Sequence, residues 1–360
     1  MKPSGCHWLF ICAIFLDIFF FPSLVSCAMA TPADTSVIEQ GLSPAEVAQR
    51  FLNAYPDFLT AYDTLTQELI GWDGARFPVA ASEKNNCQNI ATVPPINPPS
   101  SYPPPCCPPP SSPMETLRIR YRPVAEHWPT ENDPPQPNED AGRLRPLALW
   151  AYMYGTPAAK NADGSWQTKK IGKRVELVGG DVEKNLSAVS WTLAGSSAKI
   201  RVTRINGVDK QLAAVVAELE SISAEAKTRY RRLHGGGKIG VSGFYPRLVR
   251  ASNCEISPHA FGVAVDVHWQ SGLDYWLDSP QRGGYRYHPV MPKEIVAVFE
   301  RHGFIWGGKW RHFDGMHFEY RPELLNMTMP SVGRPSVGRR SYLSGANRCD
   351  HSSPPLSGAG

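Results

Sequence analysis

The chain reads as an α+β protein, with a small antiparallel sheet and flanking helices in its C-terminal half and a helical region near its N-terminus. Three observations predict this. From Lys199 the segment KIRVTRI alternates polar and apolar residues with the two-residue period of a strand. It runs into Val208, Leu212, Val215, Val216, Leu219, Ile222 and Ala226, whose spacing puts them on one helix face and predicts a helix over 208–232. Ser43-Pro44-Ala45-Glu46 is a capping box with proline at the first helical position.

Composition narrows the possible functions. At ~150 residues per domain, 360 residues allow about two domains and tails. Subtracting 33 acidic from 37 basic residues leaves +4, too mild for the dense basic coat of a dedicated nucleic-acid binder, so no nucleic-acid partner is expected. Hydrophobic residues make up 42% of the chain and can bury a sizeable core. The 34 prolines exceed the ~5% usual in globular chains, which points to extended segments beside that core.

Taken in order, residues 1–30 read as an export signal. Lys2 precedes an apolar run from Trp8 to Phe21, 14 positions long and short of the ~20 that span a bilayer. Two processing outcomes fit: cleavage at the small-residue site ending Ala28-Met29-Ala30, or acylation of Cys27 in the lipobox-like Leu24-Val25-Ser26-Cys27. Either places the mature protein in the periplasm or outside the cell, with membrane contact only through the signal or a lipid anchor. Of eight cysteines, Cys87, Cys106, Cys107, Cys254 and Cys349 would remain, an odd number that cannot pair completely within one chain. Cys106 and Cys107 lack the C-x-x-C spacing of a zinc or redox site.

Residues 31–90 are expected to be helical on either side of Pro56, with Val47, Phe51, Leu59, Tyr62, Leu65 and Leu69 as apolar positions. A proline-rich linker occupies 91–114; eleven of the 20 residues from Pro94 to Pro113 are proline, which favours polyproline II. Within 115–195, TLRIRYR alternates like a strand, but no chemistry is recognisable there. The folded C-terminal domain is expected over 196–327. Inside it VSGFYPRLVR and HAFGVAVDVHW read as strands or strand-loop segments, and Pro292 to His302 as a helix stopped by Gly303. From 328 to 360 the repeated SVGR and a Ser/Gly/Pro-rich end predict a disordered tail.

Ligand-type residues concentrate in two segments, Ser257-Pro258-His259-Ala260-Phe261-Gly262-Val263-Ala264-Val265-Asp266 and Asp314-Gly315-Met316-His317-Phe318-Glu319. Two histidines and an aspartate can close three corners of a tetrahedron and leave the fourth for water, as catalytic zinc requires. On a strand, Gly262, Ala264 and Asp266 would share one face, with Val263 and Val265 turned into the core; His317 and Glu319 would share a face opposite Phe318. His268 offers an alternative ligand or a pocket-lining residue. His288, His302 and His312 read as ordinary surface or hydrogen-bonded histidines, and Val298 and Phe299 as core.

These motifs resemble the zinc peptidase family that includes D-alanyl-D-alanine carboxypeptidases and L-alanyl-D-glutamate endopeptidases, whose fold is shared with hedgehog-type signalling domains. S-x-H-x-x-G-x-A-x-D spans Ser257 to Asp266, and GF-x-WGG, a Trp and D-x-x-H-F-E span Gly303 to Glu319. The resemblance covers roughly residues 199–325. It implies that His259, Asp266 and His317 bind Zn2+, that Asp314 is the general base, and that peptidoglycan stem peptides or muropeptides are the substrate. An arginine from SGFYPRLVR would assist the oxyanion, with Arg247 favoured over Arg250. Two features depart from the family or add to it: Lys309 follows WGG where an acidic residue is common, and Cys254 lies between Arg247 and Ser257. The insert Leu273 to Tyr287 fits a lid, a groove wall or a solvated loop. A zinc-stabilised binding module without turnover is the alternative; retention of Asp314 argues against it.

Overall fold

Side-chain caps decide where the first helices begin. In the computed structural model, α1 (Pro44–Ala54) starts where Ser43 Oγ accepts from Glu46 N and the Glu46 carboxylate accepts from Ser43 N; Val47, Ala48, Phe51 and Ala54 bury one face. The structure describes residues 41–80, 112–162, 165–172, 174–233, 240–249, 255–267, 276 and 284–334, all within one unit, Ser36–Gly360. The export signal, all eight cysteines, most of the proline-rich stretch, His268, Arg250 and most of the 273–287 insert lie outside the described residues. Among the described residues no helix is long and apolar enough to cross a membrane.

The N-terminal region is partly sheet, which corrects the all-helical expectation. Past Pro56 come β1 (Leu59–Asp63), β2 (Glu68–Gly71) and β3 (Arg76–Pro78), an antiparallel sheet in that order. The apolar spacing from Leu59 to Leu69 mimics a helix, but the Asp63 carboxylate accepts from Leu65 N and Thr66 N and reverses the chain. This Asx-type turn overrides the periodicity, and Leu65 is left 94% exposed. TLRIRYR likewise fails to form the expected strand at its start, because Ser112 and Glu115 make a second capping box and nucleate α2 (Pro113–Leu117).

Beyond α2, α3 (Leu147–Tyr154) is apolar almost all round and buries Leu149, Trp150, Tyr152, Met153 and Tyr154. Two antiparallel hairpins follow, β4 (Thr168–Ile171) with β5 (Arg174–Leu177), and β6 (Leu186–Trp191) with β7 (Ala198–Thr203). The predicted 208–232 helix is two helices, α4 (Val208–Leu219) and α5 (Ala224–Leu233). Serines make the break: Ser221 Oγ donates to Glu218 O, and Ser223 Oγ accepts from Ala226 N in the manner of a cap.

The sheet that positions the site contains β8 (Ala264–Asp266), β9 (Phe304–Trp306) and β10 (His317–Tyr320), antiparallel in the order β8-β10-β9. VSGFYPRLVR contributes isolated bridges, Ser242 to Asp266 and Leu248 to Ile256, in place of a full strand; Pro246 has no N–H to give a ladder. α6 (Lys293–Arg301) packs Ile295, Val296, Val298 and Phe299 into the core, and the Phe299 ring stacks on Phe318 at 3.8 Å. Residues 328–334 are fastened to the N-terminal region: Asp57 accepts from Ser331 Oγ, Val332 N and Gly333 N, and its carbonyl accepts from Arg334.

Candidate metal centre

Register brings the two signatures together. His317 on β10 lies directly opposite Asp266 on β8, and opposed residues of an antiparallel pair project from the same face. Val265 and Phe318, also opposite one another, fill the core on the other face. The third residue arrives on a single 3-10 turn, Pro258–Phe261, which ends at Gly262 with φ of 71°. That left-handed position suits glycine, and the turn swings His259 back over Asp266.

The three side chains converge. His259 Nε2 is 3.2 Å and His317 Nδ1 is 3.1 Å from Asp266 Oδ1, and one ligand atom from each lies within 4.8 Å of the others. Bonds of ~2.0–2.1 Å to a tetrahedral ion separate its donors by roughly 3.4 Å, so these residues could hold one metal ion. The far ring nitrogens have partners: His259 Nδ1 faces Gly243 O at 2.7 Å, and His317 Nε2 faces Glu319 Oε2 at 3.4 Å. Such outward bonds fix which nitrogen of each imidazole points inward. Two nitrogens and one carboxylate oxygen suit zinc.

Electrostatics follow from this crowding. Burial pushes the Asp266 carboxyl up, but His259 and His317 outweigh it and hold it well below the usual carboxylate range. His317 is raised to about 9: burial opposes its charge, and the bonds to Asp266 and Glu319 overcome that opposition. Burial, with Asp266 adding to it, raises Asp314 to about 6, against the pull of His317, His259 and Arg143. Asp314 is thus within electrostatic reach of the three ligand-type residues without being among those that close on one another. Its Oδ1 is buried with no hydrogen-bond partner.

WGG shapes the turn that carries Asp314. Asp314 N donates to Gly307 O, and Trp306 Nε1 donates to Gly315 O at 2.7 Å. A Cβ on Gly307 would sit 2.8 Å from Asp314 O, and one on Gly308 would sit 2.1 Å from the Trp306 ring. Both glycines are therefore demanded by close packing. Lys309, the departure from the family pattern, has a side chain only 6% exposed, and its ammonium donates to Glu300 and to Arg122 O; burial lowers its pKa to about 8. Its charge is paired with Glu300 on α6.

Arg247 lies on the segment that docks against the turn bearing His259: Tyr245 N donates to His259 O, and Arg247 O accepts from Ser257 N. Its guanidinium donates to Leu248 O at 3.4 Å and, among the described residues, makes no hydrogen bond or ion pair with His259, Asp266 or His317. His302 pairs with Glu218, His312 with Asp140 and His288 with Glu131.

Sequence reading missed the residues that reach this site from 139–145. Asp140 accepts from His312 N and Nδ1, Ala141 O accepts from Trp310 Nε1, and Arg143 donates to His312 O while lying 5.2 Å over the Trp310 ring. Arg145 grips Glu319 with two bonds of 2.9 Å. Arginines and aspartates in an irregular loop carry no periodic or motif signal, so nothing in the sequence sets them apart.

Compared with known proteins, residues 250–320 match the family model for D-alanyl-D-alanine carboxypeptidase. That stretch holds both signatures. No curated protein and no solved structure matches the chain.

Proposed function

We propose that residues 196–327 form an exported zinc peptidase domain that hydrolyses peptide bonds of bacterial cell-wall peptidoglycan, either as a D-alanyl-D-alanine carboxypeptidase or as an L-alanyl-D-glutamate endopeptidase. One observation carries the proposal: His259, Asp266 and His317 close around one point, beside a carboxylate, Asp314, whose Oδ1 is buried without a partner. The family match at 250–320 supports the peptidase reading and its general class of substrate. Export is supported by the apolar run near the N-terminus.

A divalent cation held by the three residues would polarise the scissile carbonyl and lower the pKa of water toward ~7. Asp314 then accepts the proton of the attacking water and returns it to the departing amine. In the metal-free site, burial raises this carboxyl to about 6. Arg247 is proposed to reach the developing oxyanion from the segment packed on His259. His259 and His317 are kept in their binding orientation by Gly243 O and Glu319.

The test incubates the purified protein with muropeptides, with and without a chelator, and identifies the cleaved bond by mass. Cleavage that stops with chelator and returns with zinc is expected. Asp314→Ala should retain zinc and lose turnover, whereas His259→Ala should lose both. Zinc binding with no cleavage of any muropeptide would favour the non-catalytic binding module; wild-type rates in both variants would refute the mechanism.

A further inference from the structure

Outside the segment that matches the peptidase family, one side chain touches both halves of the candidate metal centre. Arg145 lies 174 positions before Glu319 in the chain and is 8% exposed. Its Nε and one terminal nitrogen donate to the two oxygens of Glu319, each at 2.9 Å. Its other terminal nitrogen donates to Glu255 at 3.0 Å and to Arg143 O at 3.2 Å. Glu319 sits two residues past His317 on β10, and Glu255 opens the segment that carries His259. A single guanidinium therefore ties one ligand-bearing segment to the other.

Glu319 is fully buried and contacts the outward nitrogen of His317. An imidazole can present either nitrogen to a metal, and the bond made by the other nitrogen selects which. Here Nδ1 faces Asp266 and Nε2 faces Glu319. A buried carboxylate can perform that selection only if it is held in place. Arg145 holds it through a bidentate fork. Arg321 adds a third bond to Glu319 at 2.9 Å, and is itself held by Glu323, which accepts from Tyr55 Oη at 2.6 Å.

The loop bearing Arg145 is seated backbone first. Gly142 O accepts from Arg321, and Gly142 has φ of 80° with the position of a Cβ only 2.5 Å from Leu324 and 3.1 Å from Ile305. The left-handed backbone at this position favours glycine. Together with the contacts of Asp140, Ala141 and Arg143, this places Arg145 by successive anchors along 139–145.

We propose that Arg145 is a positioning residue for the metal centre: it anchors Glu319, which orients His317, and the 139–145 loop is therefore part of the metal-binding machinery. This rests on the reading of His259, Asp266 and His317 as metal ligands, but not on which peptide bond is cut. A purely structural arginine that merely glues the loop in place would change folding stability and leave metal affinity and the His317 proton where they are.

The experiment uses the full mature chain, with zinc affinity measured by competition against a chromophoric chelator and the His317 tautomer read from nitrogen-15 histidine spectra of the zinc-loaded protein. Arg145→Met should weaken zinc binding by about 10- to 100-fold, the range usual for losing an outer partner of a ligating histidine, and should disturb the Nε2–H signal of His317. Arg145→Lys, a point charge without the fork, should fall between. In a Glu319→Gln background, Arg145→Met should cost little more zinc affinity, because the shared route is already cut. Zinc affinity within twofold of wild type in Arg145→Met, with the His317 signal unchanged, overturns the proposal. Should Arg145→Met fail to fold, Arg145→Lys decides by the same two readouts. Intact effects on zinc with no muropeptide cleavage would sink the peptidase reading alone; wild-type zinc binding with active cleavage would sink only the role of Arg145.

Discussion

At the scale of single residues, Asp314 is the side chain least at ease in the fold. Its carboxyl is raised from 3.8 to about 6 by burial, so the native state holds this proton more tightly than the unfolded chain. The sign follows: stability is favoured below pH ~4 and declines as pH rises through 6, by up to about 3 kcal/mol for two units at 1.36 kcal/mol each. Asp314→Asn should therefore raise the melting temperature of the metal-free protein by several degrees at pH 7, leave it nearly unchanged at pH 4, and abolish turnover. A lower melting temperature at pH 7 would show that the carboxylate is stabilising and contradict its role as a strained base. His317 gives the companion expectation. Its protonated form persists to about pH 9 in the metal-free site, so zinc must displace a proton, and apparent affinity should climb with pH between 6 and 9. Calorimetry in buffers of different ionisation enthalpy should find about one proton released per zinc; no release would mean that His317 is not a ligand. These residues stood out in the sequence because S-x-H-x-x-G-x-A-x-D and D-x-x-H-F-E resemble the signatures of a zinc peptidase family. Arg145 was not, since only the folded chain brings it to Glu319.

Among the elements, the site depends on pairing more than on any one strand. β8 holds three residues and β10 four, yet their register sets His317 against Asp266 and places Phe318 against α6. Alternation in AVD and HFE foretold which faces the side chains take, but Gly262 lies in the left-handed end of the 3-10 turn and not on the strand. Local turn chemistry was harder to weigh against periodicity: Asp63 reversed an apparent helix into β1 and β2, and Ser221 and Ser223 split α4 from α5. Gly307 tests the turn between β9 and β10. Ala at 307 would place its Cβ 2.8 Å from Asp314 O and 2.9 Å from the Trp310 ring, a collision with backbone that typically costs about 1–3 kcal/mol. Gly307→Ala should lower turnover more than tenfold while zinc still binds, because this turn carries Asp314, whereas Asp266 and His317 sit on β8 and β10 and His259 on the separate turn Pro258–Phe261. Unchanged turnover would show that the turn tolerates displacement.

Across the whole molecule, the proline-rich stretch suggested two separate regions, but residues on either side of it share buried contacts. Tyr55 Oη donates to Glu323, Met114 N donates to Val79 O and Met329 N donates to Asn53 O. Residues 31–195 carry no functional signal of their own because their contributions to the site are single side chains on loops, legible only once long-range contacts exist. Those contacts converge on one central claim, that two imidazoles and one carboxylate grip a single divalent ion and leave a position open. X-ray absorption at the zinc edge of the loaded protein tests it most directly. One zinc per chain with two histidine nitrogens and the remaining ligands oxygen, all at ~2.0–2.2 Å, is the predicted spectrum. Sulfur scattering at ~2.3 Å, or His259→Ala leaving the spectrum unchanged, would place the metal elsewhere and contradict the account.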